Sequence, residues 1–205
     1  MSEVKVYLGG EGANELGSRC SDSIHQDASH PGVIETLLHR VQTEGWMVIG
    51  AMKWCRIRKL RSKGPSPNEE RNILGLMVEA KRAKAQVLAF VRDSDNEKER
   101  PKVIAAAIDK AKLEFPDIEV IGGTAIPVLE GWILAMLGER KTESLSRAGA
   151  QAKVVDRGLA AKDTSAMVHA TANFSIDKLP EDATSLRGWL DRARQVLPPL
   201  VGVAS

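Results

Sequence analysis

Short apolar runs alternate along this chain with segments whose apolar residues recur at helical spacing, and this alternation constrains the fold more than any other feature. Runs at 4–8, 46–51, 87–91 and 118–121 predict buried strands. Between them, residues 33–41, 68–80 and 103–111 place apolar side chains three or four positions apart, which is typical of helices packed on a core. Such alternation favours an α/β fold with a mostly parallel sheet and helices on both faces.

The pattern weakens after residue 138 and recovers in one amphipathic helix around Leu186 to Val196, which we expect to end at Pro198. We therefore predict a domain over residues 1–138 and a helical C-terminal extension, residues 139–205, that packs on it. The glycine pairs at 9–10 and 122–123 predict turns that end the first and fourth strands. Gly12 would let the chain bend closely around the acidic residue before it.

Charge and cysteine content narrow the location and partners of the protein. The chain of 205 residues has 29 basic and 27 acidic residues, so overall charge does not indicate nucleic-acid binding. No apolar stretch approaches the roughly 18 to 20 residues of a membrane span, and two cysteines suit a reducing compartment. We expect a cytoplasmic protein without membrane contact. Cys20, His25 and His30 match no established zinc spacing, so zinc is not expected.

Acidic residues follow two of the predicted strands at their carboxyl ends. Glu11 follows the first strand, and Asp93 and Asp95 follow the third. Clustered carboxylates repel one another unless a cation is present, and their oxygens are preferred ligands of Mg²⁺. Acidic residues after strands also serve as helix caps, but the paired motifs favour a site for Mg²⁺ or Mn²⁺.

At these residues the sequence resembles the TOPRIM superfamily of topoisomerases, primases and small nucleases, including the OLD family. In that superfamily a Glu, usually followed by Gly, ends the first strand, and an Asp-x-Asp motif ends a later one. Glu11-Gly12 and Asp93-Ser94-Asp95 match, and the resemblance extends from Val4 to about Leu137. It implies a Rossmann-like TOPRIM sheet and Mg²⁺ binding by the three acids.

Two further acids are candidates for the same site. Glu15 has the spacing that the resemblance associates with a metal or supporting role, although the start of a surface helix explains it equally well. Glu130 lies in an apolar helical stretch beside Trp132, where an unpaired carboxylate would be costly to bury. Glu130 either completes the metal site as an auxiliary catalytic acid or occupies a helix N-terminus, which favours acids.

A basic run follows the second predicted strand. It contains six cations and no acid, and Trp54 offers a stacking face among them. The cations are Lys53, Arg56, Arg58, Lys59, Arg61 and Lys63. Such runs are often only solvated, but an acidic metal site in the same domain favours contact with nucleic-acid phosphates.

Within the superfamily the residues favour hydrolysis. A topoisomerase needs an exposed tyrosine nucleophile, but the only tyrosine, Tyr7, lies within the first strand. A primase is not favoured either, because the sequence shows no zinc-binding module. The sequence therefore predicts a metal-dependent nuclease acting on DNA or RNA through metal-activated water. Similarity of residues 126–137 to a TOPRIM-like subfamily, some of whose members neighbour ATPases in defence loci, implies a nuclease subunit of a phage-defence complex.

Arg92 keeps an alternative open. It directly precedes Asp93 and could neutralise part of the acidic site. This favours a non-catalytic TOPRIM-like module that partners an ATPase or holds nucleic acid without cleaving it.

Overall fold

Four parallel strands form the centre of the fold. The computed structural model describes residues 3–20, 30–58, 68–160 and 163–204. The strands are β1 (Val4–Gly10), β2 (Trp46–Lys53), β3 (Val87–Asp93) and β4 (Glu119–Ala125), in the order β2-β1-β3-β4. The predicted α/β fold with a parallel sheet is confirmed.

Helices connect and cover the strands. They are α1 (Ala13–Leu16), α2 (Val33–Val41), α3 (Asn68–Arg82), α4 (Arg100–Glu114), α5 (Leu129–Met136), α6 (Arg147–Asp156), α7 (Thr164–Asn173) and α8 (Thr184–Ala204). Short 3₁₀ turns occur at Gly17–Cys20, Trp54–Arg56, Thr142–Ser144 and Ile176–Lys178. No helix in the described part of the chain has the length and apolar character needed to cross a membrane.

The two faces of the sheet carry separate apolar clusters. Alternate strand residues point to opposite faces, so Leu8 and Ala89 join one cluster while Leu88 and Phe90 join the other. The first cluster includes residues of α2, α5, α6, α7 and α8, and the second includes residues of α3 and α4. The prediction of helices on both faces is therefore confirmed.

The glycine pairs do not end their strands, contrary to the sequence prediction. β1 continues through Gly9 and Gly10, and β4 continues through Gly122 and Gly123. Gly12 also has an extended backbone, with φ of −160°, that does not require glycine. The strand glycines permit close packing: a Cβ at Gly10 would lie 2.6 Å from the Cβ of Glu15.

The C-terminal region is more helical than expected. The helices α6 and α7 were not predicted, and α8 continues through Pro198 and Pro199 instead of ending there. The residues beyond 138 pack on the sheet, as shown by Trp189, whose Nε1 donates a 3.0 Å hydrogen bond to the Phe90 carbonyl. The expected helical C-terminal region is confirmed.

Candidate functional site

The strand order brings the acidic residues to one point. β2 lies on one side of β1, whereas β3 and β4 lie on the other, so the connections diverge between β1 and β3. In parallel α/β sheets, ligands bind beyond the carboxyl ends of strands at such a switch point. Glu11 follows β1 and Asp93 ends β3, and Glu11 Oε1 accepts a 3.1 Å hydrogen bond from the Asp93 amide.

Asp93 is the most strongly perturbed acid at this point. Its side chain is buried, and Oδ1 accepts a 2.9 Å hydrogen bond from the amide of Leu129 at the start of α5. Burial raises the pKa of Asp93 to about 8, with further contributions from the nearby charges of Glu11, Glu15 and Glu130. The Leu129 amide acts in the opposite direction, but less strongly.

Glu15 and Glu130 join Glu11 and Asp93 around one cleft. The cleft has a volume of about 450 Å³, and all four carboxylates line it. Glu15 is held by a 2.8 Å hydrogen bond from the Gly12 amide to its Oε2, and burial raises its pKa. Glu130 lies buried in the first turn of α5, a position where a helix N-terminus favours an acid, and it also lines the cleft.

Arg92 forms ion pairs with acidic residues at and near the cleft. Its Nη1 donates to Glu11 Oε1, and its Nε lies 3.4 Å from Glu69 Oε1. The guanidinium also stacks over Trp54, 5.5 Å from the ring centre. Glu11 is therefore shared between the acidic cleft and the partly buried Arg92.

Asp95, which follows the end of β3, forms ion pairs with Arg92, Arg100 and Arg147. Its Oδ2 accepts a 2.9 Å hydrogen bond from Arg100, and its Oδ1 accepts one of 2.6 Å from Arg147 on α6. Asp95 and Asn96 both have positive φ, 50° and 64°, a region that Asp and Asn adopt more readily than most residues. Asp95 is thus close to the cleft but engaged in ion pairs.

The donor chemistry fits a divalent cation, although the side chains are not gathered around one position. In the described ranges, no three Asp, Glu, His or Cys side chains form a group that could hold a metal as they stand. However, four carboxylates line one cleft, and burial together with the charges of the other three raises the pKa of Asp93. Asp93, Glu15 and Glu130 could contribute ligands directly, whereas Glu11 would first have to exchange Arg92 for the cation.

The basic run begins at the same edge of the sheet. Lys53 pairs in register with Gly10, next to Glu11, and Arg56 and Arg58 are exposed beyond it. Lys59, Arg61 and Lys63 lie outside the described residues, as does His25. Trp54 is buried against Phe90, so the expectation that it offers an exposed stacking face was wrong.

Several residues of the site were not anticipated from the sequence. Arg100 is buried and contacts both the Asp93 carbonyl and Asp95, and Glu69 bridges Arg92 and Arg100. Arg147 and Gln151 reach the cleft from α6. The Glu99–Arg100–Pro101 stretch resembles an ordinary helix start, and Arg147 lies in a region of weak pattern, so no local signal marks them.

Comparisons of the chain with protein-family models, with curated proteins and with solved structures found no match. The structure itself shows an α/β fold with a four-stranded parallel sheet.

Proposed function

We propose that the protein is a metal-dependent nuclease that hydrolyses phosphodiester bonds of DNA or RNA with Mg²⁺ or Mn²⁺. The observation that carries the proposal is the cleft at the switch point, which Glu11, Glu15, Asp93 and Glu130 line together. A bound divalent cation would supply Lewis-acid activation of water and would neutralise charge on the phosphate. The strand-end positions of Glu11 and Asp93 also support the resemblance to TOPRIM nucleases.

The residues of the chain have separate tasks in this proposal. Asp93, Glu15, Glu130 and Glu11 would hold the cation, and the Gly12 and Leu129 amides fix the orientation of two of these carboxylates. Arg147 lines the cleft with a half-exposed guanidinium and is suited to contact a phosphate. Asp95 positions Arg147 and Arg100 through the two shorter of its three ion pairs.

Lys53, Arg56 and Arg58 would extend the phosphate-binding surface along the carboxyl edge of the sheet. The register of Lys53 beside Gly10 supports this role, because it places the start of the basic run next to Glu11. An ATPase partner in a phage-defence complex remains part of the proposal. It rests on the sequence resemblance.

Metal-dependent cleavage tests the proposal. We expect labelled single- and double-stranded DNA and RNA to be cleaved with Mg²⁺ or Mn²⁺ and not with EDTA. Asp93→Asn keeps an acceptor for the Leu129 amide but removes a charge, and should reduce cleavage by about 100-fold or more. Glu99→Gln is the matched control, because Glu99 is exposed and its ion pair with Lys102 lies at the surface.

The Arg92–Glu11 ion pair favours a second candidate function, a module that binds nucleic acid or an ATPase without cleaving. The same substrates distinguish the two. Metal-independent binding without cleavage, alone or with the product of an adjacent ATPase gene, would support the non-catalytic module. Cleavage that persists in Asp93→Asn would show that another site is responsible.

A further inference from the structure

A second groove follows the free edge of β4, between α4 and α8. Its volume is about 240 Å³, and it shares no lining residue with the acidic cleft. Ile104 and Ile108 of α4 form an apolar wall, and Gly188 and Arg192 of α8 form the opposite side. The floor is the strand itself from Gly122 to Thr124.

The floor of the groove offers peptide groups without ladder partners. The bonds from Glu119 N to Gln86 O and from Ser94 N to Ala125 O turn the odd-numbered residues of β4 toward β3. Because peptide groups alternate in direction along a strand, those of Gly122 and Thr124 point away from the sheet. Among the strands of the described ranges β4 is the last on this side, so these donors and acceptors face the groove.

Arg192 adds an uncompensated positive charge. Within the described ranges it forms no ion pair, and its Nε is buried without a hydrogen-bond partner. The guanidinium lies over Gly123, where a Cβ would come within 2.7 Å of Nη2. Burial lowers the pKa of Arg192, and the neighbouring charge of Asp191 only partly opposes this effect. The guanidinium of Arg192 is partly buried and its Nε has no hydrogen-bond partner, so an anionic ligand that accepts from it would be favoured there.

The groove has a polarity along its length. Arg192 and Thr184 line the groove from opposite ends of its α8 wall, and beside the Thr184 end Glu143 accepts hydrogen bonds from Thr184 Oγ1 and the Ser185 amide. A negative group is therefore favoured at the Arg192 end and disfavoured at the start of α8. At about 3.3 Å per residue, the floor accommodates roughly two or three residues of extended chain.

We propose that this groove binds the carboxyl-terminal residues of a partner peptide as an added strand beside β4. The terminal carboxylate pairs with Arg192, and the peptide backbone bonds to the outward peptide groups of Gly122 and Thr124. An aliphatic side chain packs on Ile104 and Ile108. With its carboxylate at Arg192, the peptide chain leads along α8 toward Thr184.

Fluorescence anisotropy with two matched peptide pools tests the proposal. The probes are labelled hexapeptides with varied aliphatic residues at the last three positions, one pool with free carboxylates and one with terminal amides. We expect the amidated pool to bind at least about tenfold more weakly, as for the loss of a charge-assisted hydrogen bond. Binding should also shift the backbone NMR signals of Gly122 and Thr124.

Three variants locate the binding. Arg192→Ala should weaken the free-acid pool to the level of the amidated pool. Gly188→Leu should fill the groove and abolish binding without unfolding the protein, because a Cβ at Gly188 has Arg192 Nη1 at 3.9 Å as its nearest neighbour. Arg194→Ala is the control, since Arg194 is half-exposed and paired with Asp191, and it should bind like the unaltered protein. Thermal melts check that each variant is folded.

Four results would overturn the proposal. Absence of binding by the free-acid pool up to its solubility limit is one, and equal binding of both pools is another. Displacement of the pool by isovalerate as readily as by unlabelled peptide would show a small-carboxylate site instead. Self-association of the unaltered protein that Gly188→Leu abolishes would identify a second copy of the chain as the occupant.

Discussion

At the scale of single residues, the carboxyl group of Asp93 gives the acidic cleft a measurable pH dependence. Its pKa is raised from 3.8 to about 8 in the folded protein, so the folded state retains a proton that the unfolded chain releases. The stabilisation is full below about pH 4 and is lost as the pH rises toward 8. In EDTA, the free energy of unfolding should therefore fall by about 2–5 kcal/mol as the pH rises through this range.

Asp93→Asn isolates this contribution. The asparagine amide stays neutral at every pH, so in EDTA the stability of the variant should vary less with pH. At about pH 8 the variant should be more stable than the unaltered protein. Urea denaturation at several pH values measures both quantities. Adding Mg²⁺ should raise the melting temperature of the unaltered protein more at high pH than at low pH, and that of Asp93→Asn little. Identical pH profiles in the two proteins would contradict the burial argument.

Arg92 is expected to stabilise the folded protein and, because it occupies Glu11, to weaken the binding of a divalent metal ion. Arg92→Gln removes the cation that pairs with Glu11 and Glu69, so the unfolding free energy should fall by about 2–4 kcal/mol. Because Glu11 is then available, Mn²⁺ should bind about tenfold more tightly, measured by calorimetry. Arg82→Gln is the control, since its pair with Glu79 is largely exposed. Unchanged Mn²⁺ affinity in Arg92→Gln would show that Glu11 is not a ligand.

The sequence predicted the acids of the cleft better than their partners. Glu11 and Asp93 follow apolar strands whose parallel pairing could be inferred, so their convergence was predictable. Arg92 stood out because it directly precedes Asp93, but Arg100 and Arg147 could not be predicted, because they reach Asp95 through tertiary packing and carry no local motif. Which acid is paired and which lines the cleft depends on these contacts.

At the scale of elements, the first strand tests what its glycines do. A Cβ at Gly10 would lie 2.6 Å from the Cβ of Glu15, close to the backbone of α1, whereas one at Gly9 would meet Leu76 Cδ1 at 2.7 Å. A leucine tip can move more easily than a Cβ. We expect Gly10→Ala to cost about 2–4 kcal/mol and Gly9→Ala about 1 kcal/mol in urea denaturation. Equal costs would refute this distinction.

The same glycines explain why strand ends were misplaced. A glycine pair after an apolar run usually indicates a turn, but here the pairs at 9–10 and 122–123 lie inside β1 and β4. Glycine is needed at these positions because α1, α3, α4 and α8 pack close to the strands. The local sequence does not indicate this packing. Pro198 and Pro199 similarly lie within α8, although they predict its end.

At the scale of the whole molecule, the C-terminal helices complete the core of the sheet. Leu186, Trp189 and Leu190 of α8 are buried in the same apolar cluster as Leu8 and Ala89. Trp132 Nε1 donates a 2.8 Å hydrogen bond to Ser185 Oγ, and Trp189 packs against Trp132 with ring centres 6.2 Å apart. Removing residues 139–205 would expose this cluster to water and leave the Trp132 indole without its acceptor.

We therefore predict that the fragment 1–138 does not fold cooperatively, whereas the full chain unfolds in one transition. Far-ultraviolet circular dichroism and tryptophan fluorescence, followed through urea denaturation, should give coincident curves for the full chain. Trp189→Phe keeps most of the apolar volume but loses the hydrogen bond to the Phe90 carbonyl, and should cost about 1–3 kcal/mol. A folded 1–138 fragment with its own sharp transition would instead show that the sheet and α1 to α5 are independently stable.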